Sequence, residues 1–222
     1  MTYGAEIDES IRETSNWVAH LGRFFGAEVI NEAVGGSSND RIVRTTMQYI
    51  AKYVCDGKDT SDLIVTIGWS NPGRREFAWA DPVKQKQEGG LYFQIVPTWR
   101  PPSLAKIHDY YYENLHSTRE AEVRFLIDVL TLQNMLKINN IRYLFCRGIP
   151  SFRNHQDVVH DEVASLEGMI DKTRFHDFNQ NSSLLIKANE WKLPIGPGLH
   201  PLEEAHQRWA ETLWEFVQKG NI

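Results

Sequence analysis

At 222 residues, with 41% hydrophobic and 24% charged residues, the chain is long enough for one large domain with a real core and too apolar for a disordered tail. Seven Trp, eight Tyr and ten Phe strengthen that reading. A net charge of -5 carries no electrostatic footprint for nucleic acid or an anionic membrane, so a small neutral or polar ligand is the expected partner.

The opening "MTYGAEIDES" has neither a basic nor an apolar leader pattern, and no apolar run is long enough to span a bilayer, which predicts a soluble, cytoplasmic chain. Cys55 and Cys146 fit no disulfide or zinc pattern and read as reduced thiols. Then "SNWVAHLGRFFG" sets Trp17, Leu21 and Phe24 at helical spacing behind a Ser15 cap, with Gly26 as the stop. "AEVINEAV" predicts a short buried strand over 27–33. After the "GGSSND" turn, Ser38 or Asn39 caps a helix whose Val43, Met47, Ile50 and Val54 share one face.

"DLIVTIG" is the continuous apolar run of a parallel strand covered on both sides. Further strands are expected at "REFAWA" and "LYFQIVP". Ser117 and Glu120 form a capping-box pattern for a long helix to about Lys137, which feeds the buried strand "IRYLFC". "DEVASLEGMI" predicts another helix. Leu202, Ala205, Trp209, Leu213 and Phe216 give the last helix an apolar stripe ending at Gly220, with His200 at its N-cap and Pro201 as its first residue. Neither a repeat nor a linker divides the chain, so residues 1–222 read as a single three-layer α/β/α domain with a mostly parallel sheet.

Such sheets hold their sites at the carboxyl ends of strands. Three loops qualify: Gly35-Gly36-Ser37-Ser38-Asn39, Trp69-Ser70-Asn71-Pro72-Gly73-Arg74-Arg75, and Gly198-Leu199-His200-Pro201. As a phosphate cradle the first is weak, because it has no Walker lysine and does not match Gly-x-Gly-x-x-Gly. His155, His160, His176 and Asp177 lack metal-site spacing, and no metal is expected.

Together the three loops resemble the blocks of the SGNH (GDSL-type) hydrolases, esterases and lipases with a flavodoxin-like fold. "VINEAVGGSSNDRI" resembles the block whose glycine donates its backbone N–H to the oxyanion, which puts Gly36 in that role. "VTIGWSN" resembles the Gly-x-Asn block with one residue more, so Ser70 and Asn71 compete as the second donor; Asn71 is favoured because an amide NH₂ is the better donor. "GLHPLEEAHQRWAETL" resembles the last block and makes His200 the catalytic base. The family's acid three residues earlier is Pro197 here, so another carboxylate or a backbone carbonyl has to orient the ring. Asp157-Val158-Val159-His160 fits Asp-x-x-His literally, but no proline and terminal helix follow it, and His200 ranks above it.

The family's nucleophile turn continues into Thr, a variable residue and Gly, as "MTYG" does. Aligned so, the serine falls immediately before Met1, which leaves either a longer gene product or a protein without the nucleophile; Thr2 is nearest, but its counterpart is a turn residue. The resemblance implies hydrolysis of an ester, carbohydrate esters included, with no cofactor. Each oxyanion donor in comparable sites contributes about 2.7–4 kcal/mol. Arg74 is placed either to hold a substrate carboxylate or sulfate or to be a solvated surface arginine, and Trp69 either to stack on a sugar or to pack in the core. The alternatives are a non-catalytic binding module that keeps the fold and pocket and, more distantly, a flavodoxin-like nucleotide binder.

Overall fold

The structure, a computed structural model, describes residues 4–87, 90–150, 161–180, 182–220 and 222. The elements in chain order are α1 (Arg12–Ser15), α2 (Trp17–Phe25), α3 (Asn39–Cys55), β1 (Ile64–Trp69), β2 (Arg75–Ala78), α4 (Pro82–Gln87), β3 (Tyr92–Ile95), α5 (Ala105–Asn114), α6 (Thr118–Ile138), β4 (Arg142–Arg147), α7 (Asp161–Gly168), α8 (Leu184–Glu190) and α9 (Glu203–Gly220). This is a mixed α/β fold with a small parallel sheet.

β4 organises it. It pairs in parallel with β1, from Ile64 opposite Arg142 to Trp69 opposite Arg147. Its side chains alternate between two cores, as the period-2 geometry of a strand requires. Tyr143 and Phe145 join a cluster with β1, α3 and α6, while Leu144 and Cys146 join one with α2, α8 and α9. Helices therefore cover both faces of β4. On its other edge, Phe145 N–H donates to the Arg174 carbonyl and Phe145 O accepts from His176 N–H, each at 2.8 Å, so residues 174–176 form one parallel rung. β2 and β3 form a separate antiparallel pair, stacked through Phe77 and Phe93.

The helix signals act much as local chemistry dictates. Ser38 accepts from Arg41 N–H and caps α3, Ser117 accepts from Glu120 N–H and caps α6, and Gly26 ends α2 in the left-handed conformation. The cap of α2 is Asn16 rather than Ser15, because the Ser15 hydroxyl is drawn to Glu203. On α3 only Ile50 of the expected stripe is fully buried, and Met47 and Val54 stand exposed.

Two larger expectations are corrected. Residues 27–34 form no strand, and among the described residues no backbone ladder pairs with them. β1 is not covered on both sides either: Ile64, Val65 and Thr66 are only half-buried, whereas β4 is buried from Tyr143 to Arg147.

Candidate functional site

The loop that opens α3 is stitched to the loop that leaves β1. Asn39, buried at the start of α3, clamps the Ser70 backbone: its Oδ1 accepts from Ser70 N–H at 2.8 Å and its Nδ2 donates to the Ser70 carbonyl at 3.2 Å. Ser70 Oγ donates to the Ser37 carbonyl at 2.6 Å, so its proton is already committed. Asn71 Oδ1 accepts from Gly73 N–H at 2.8 Å, which fixes the side-chain amide and leaves Nδ2 as its free donor. Gly36 has φ +78, a conformation that suits glycine, and its amide is carried on the loop whose next carbonyl receives Ser70.

Arg74 reaches back into the same cluster and donates through Nη1 to the Ser37 carbonyl at 3.3 Å and to Ser70 Oγ at 3.2 Å. Its neighbours Arg75 and Arg44 face Asp40 and Glu76, but no carboxylate faces Arg74 among the described residues. Burial pulls its pKa down from the usual arginine value, the direction expected of a cation without a counter-charge. It is therefore largely buried and not a solvated surface arginine. Trp69 takes the other of its two readings: it is fully buried, with its ring set edge-on to Phe125 and Phe145, and cannot stack on a sugar.

His200 is not a helix cap. Residues 195–201 fold back on themselves, with Gly196 N–H donating to the His200 carbonyl, and α9 begins only at Glu203. What holds the imidazole is Glu6. One carboxylate oxygen accepts from Gly198 N–H at 2.8 Å; the other accepts from His200 N–H at 3.0 Å and lies 2.9 Å from His200 Nδ1. These donors, Gly198 N–H foremost, hold the Glu6 pKa below its ordinary value. An ionised carboxylate beside Nδ1 selects the tautomer protonated there and leaves Nε2 as the acceptor. Gly196 permits the approach, since a Cβ there would come within 2.7 Å of the Glu6 carboxyl group.

Sequence reasoning asked for a carboxylate from elsewhere but could not name Glu6, which is separated from His200 by 194 positions and carries no motif. Met1, Thr2, His155, Asp157 and His160 lie outside the described residues. Among the described residues, no His, Cys, Asp and Glu group could hold a metal. Buried Cys146 has its thiol pushed up to about 12 and offers no thiolate nucleophile.

The two groups lie on segments that begin or end toward the carboxyl side of β1, and among the described residues no hydrogen bond joins them. Ser70 follows the last residue of β1, and residues 27–34 end at the loop bonded to it, so they run in the direction of β1. Gly22 of α2 packs on Val29, so α2 runs back the other way and starts at the carboxyl edge. Glu203 at the head of α9 takes the Ser15 hydroxyl, and His206 Nδ1 accepts from Trp17 N–H, which puts residues 4–15 and the His200 turn at that edge too.

A family description matches residues 5–221, nearly the whole chain. The chain belongs to the family of unknown function DUF6071. Comparison of this DUF6071 chain with curated proteins and with solved structures gives no match. No helix among the described residues is long and apolar enough to cross a membrane.

Proposed function

We propose that this chain is the body of an SGNH-like serine hydrolase that cleaves an ester, built on a three-layer, flavodoxin-like α/β/α frame. The observation that carries the proposal is the Glu6–His200 pair, a carboxylate held by two backbone N–H groups and set 2.9 Å behind the imidazole. In this reading the nucleophile is the serine that the SGNH resemblance aligns immediately ahead of Met1, outside residues 1–222, and it attacks the acyl carbon. His200 Nε2 takes the serine proton and returns it to the leaving alcohol, while Glu6 stabilises the imidazolium between the two transfers. Water then repeats the sequence on the acyl-enzyme, releasing the acid and restoring the serine.

The Gly36 N–H and Asn71 Nδ2 are the oxyanion donors. Ser70 is the weaker candidate, because its hydroxyl proton serves Ser37. Arg74, which no carboxylate faces among the described residues, holds an anionic group on the substrate. The burial of Trp69 removes the argument for a carbohydrate alcohol.

The test is hydrolysis of an aryl acetate by the chain carrying its native upstream residues. Turnover is expected, and His200→Ala should lower kcat by about 10⁴-fold or more, since nucleophile and base act as a unit. A folded extended protein that bears the serine and cleaves no ester across a broad panel would favour the non-catalytic binding module.

A further inference from the structure

Every backbone carbonyl from Trp69 to Gly73 accepts a hydrogen bond, and the donors come from across the fold. Gly148 N–H, just past β4, reaches Trp69 O at 2.8 Å, and Asn39 Nδ2 of α3 reaches Ser70 O at 3.2 Å. Asn71 O takes Arg74 N–H at 3.1 Å within the turn itself. Arg124 Nη2 of α6 donates to Pro72 O at 2.7 Å, and the Tyr112 hydroxyl of α5 donates to Gly73 O at 2.9 Å. Asn71, Pro72 and Gly73 are buried, so their carbonyls need partners, but a turn can find them in its own backbone. Here side chains of two separate helices reach in instead. Both are held in turn: Arg124 Nη1 donates to the Glu120 carboxylate, and the Tyr112 ring packs on His108 and His116.

We infer that Arg124 and Tyr112 are positioning residues for the Asn71 side-chain donor. The peptide unit is planar, with its C=O and N–H pointing opposite ways, so a hold on the carbonyl fixes where the N–H aims. The Pro72–Gly73 peptide is held at its oxygen by Arg124 and gives its N–H to Asn71 Oδ1 at 2.8 Å. The Gly73–Arg74 peptide is held at its oxygen by Tyr112 and gives its N–H to the Asn71 carbonyl. One helix side chain therefore sets the grip on the Asn71 amide, and the other sets the grip on its backbone. Gly73 leaves room for this, since a Cβ there would lie 3.1 Å from Asn71 Oδ1 and 3.2 Å from Pro97. With Oδ1 committed, Nδ2 keeps one direction before any ligand arrives, which is the property that makes a donor effective toward developing charge.

The inference rests on the proposed function, in which Asn71 Nδ2 is an oxyanion donor, but it is read first without turnover. Tyr112→Phe removes only the hydroxyl and keeps the ring contacts; Arg124→Gln removes the guanidinium. Each variant of the 222-residue chain is compared with the parent by amide hydrogen exchange and by the side-chain NH₂ signals of Asn71 in a proton–nitrogen spectrum. Gly73 N–H is the direct reporter, because its acceptor is Asn71 Oδ1, and Arg74 N–H reports the second peptide. Both are expected to exchange about ten-fold faster or more, with the Asn71 NH₂ pair moving toward the position of a free asparagine, while Phe145 N–H on β4 keeps its protection. Tyr112→Phe decides the matter where Arg124→Gln does not fold. Unchanged Gly73 and Arg74 exchange in Tyr112→Phe overturns the inference, and so does an equal loss of protection at Phe145, which would mark a merely structural role. In the serine-bearing protein of the esterase assay, the same variants should lower kcat about ten-fold with KM nearly unchanged. A released Gly73 with kcat unchanged overturns the positioning role. A released Gly73 in a serine-bearing protein that cleaves no ester leaves the clamp standing and removes the hydrolase.

Discussion

Replacing Asp128 by asparagine should make the protein more stable at pH 8 and leave it nearly unchanged at pH 4. Asp128 sits on α6 with one carboxyl oxygen buried and without a hydrogen-bond partner. Burial first, and the nearby charge of Asp40 second, push its pKa from an ordinary 3.8 to about 7; Arg124 and Arg75 pull the other way without prevailing. A carboxyl group whose pKa rises on folding binds its proton more tightly in the native state, so its favourable contribution is complete at low pH and disappears as pH climbs from about 4 to about 7. Above that window the folded protein carries a poorly compensated carboxylate. At about 1.4 kcal/mol per pH unit, the displacement caps the penalty near about 4 kcal/mol, and relaxation of α6 and entry of water should bring the realised gain to about 1–3 kcal/mol. Asparagine keeps the shape and cannot ionise. The assay is urea unfolding of both proteins at pH 4 and pH 8, taking the difference in midpoint so that every other titrating group cancels. A loss of stability at pH 8, or a difference between the two proteins that does not change with pH, would refute the reasoning.

Glu6→Gln in the extended protein should lower kcat by about 10³–10⁴-fold with little change in KM, since the amide oxygen can still accept from one of the two backbone N–H groups but the side chain no longer fixes the tautomer or stabilises the imidazolium. Because folding depresses the Glu6 pKa, the stability it contributes is present above the ordinary glutamate range and is lost as pH falls below about 4.3 and through the folded value; Glu6→Gln should flatten an acid-unfolding curve there. Trp69→Ala should cost about 3–5 kcal/mol in urea unfolding, as expected of a fully buried ring between two phenylalanines. Arg74→Met should raise KM about ten-fold or more for esters bearing a carboxylate or sulfate while leaving a neutral acetate ester little affected, which steady-state kinetics on the paired substrates will read.

The elements legible in the sequence are those whose cause is local. β4 and α6 carry unbroken apolar patterns, and Ser38, Ser117 and Gly26 end helices by chemistry confined to three or four residues. Gly36, Ser70, Asn71 and Arg74 fall on loops joined to one another because strand direction fixes which loops share an edge. What escaped depends on distant partners. Residues 27–34 have a strand's composition, but a strand is completed only by a neighbour, and none pairs with them among the described residues. His200-Pro201 has the look of a helix start, yet closure of the 195–201 turn delays α9 to Glu203. Glu6 became part of the site only when the chain's two ends met.

That meeting also bears on the choice between an enzyme and a binding module. A structural carboxylate that merely tied the amino-terminal segment to the 195–201 turn would need the Gly198 and His200 backbone N–H groups and nothing more. The ring adds a third hydrogen bond to that carboxylate, although its side chain is 36% exposed and water could take its place. Instead Nδ1 lies on the same carboxylate oxygen that already accepts the His200 backbone N–H. Holding an exposed imidazole in one rotamer and one tautomer costs conformational entropy that a solvated ring would keep. The arrangement is useful when the opposite nitrogen has a proton to take, and in the proposed hydrolase Gly36, Asn71 and Arg74 would supply the donors for an oxyanion and for an anionic substrate group. A binding module would need the donors without the ordered base. The Glu6 contact to the ring, more than the loops, is therefore what favours the hydrolase.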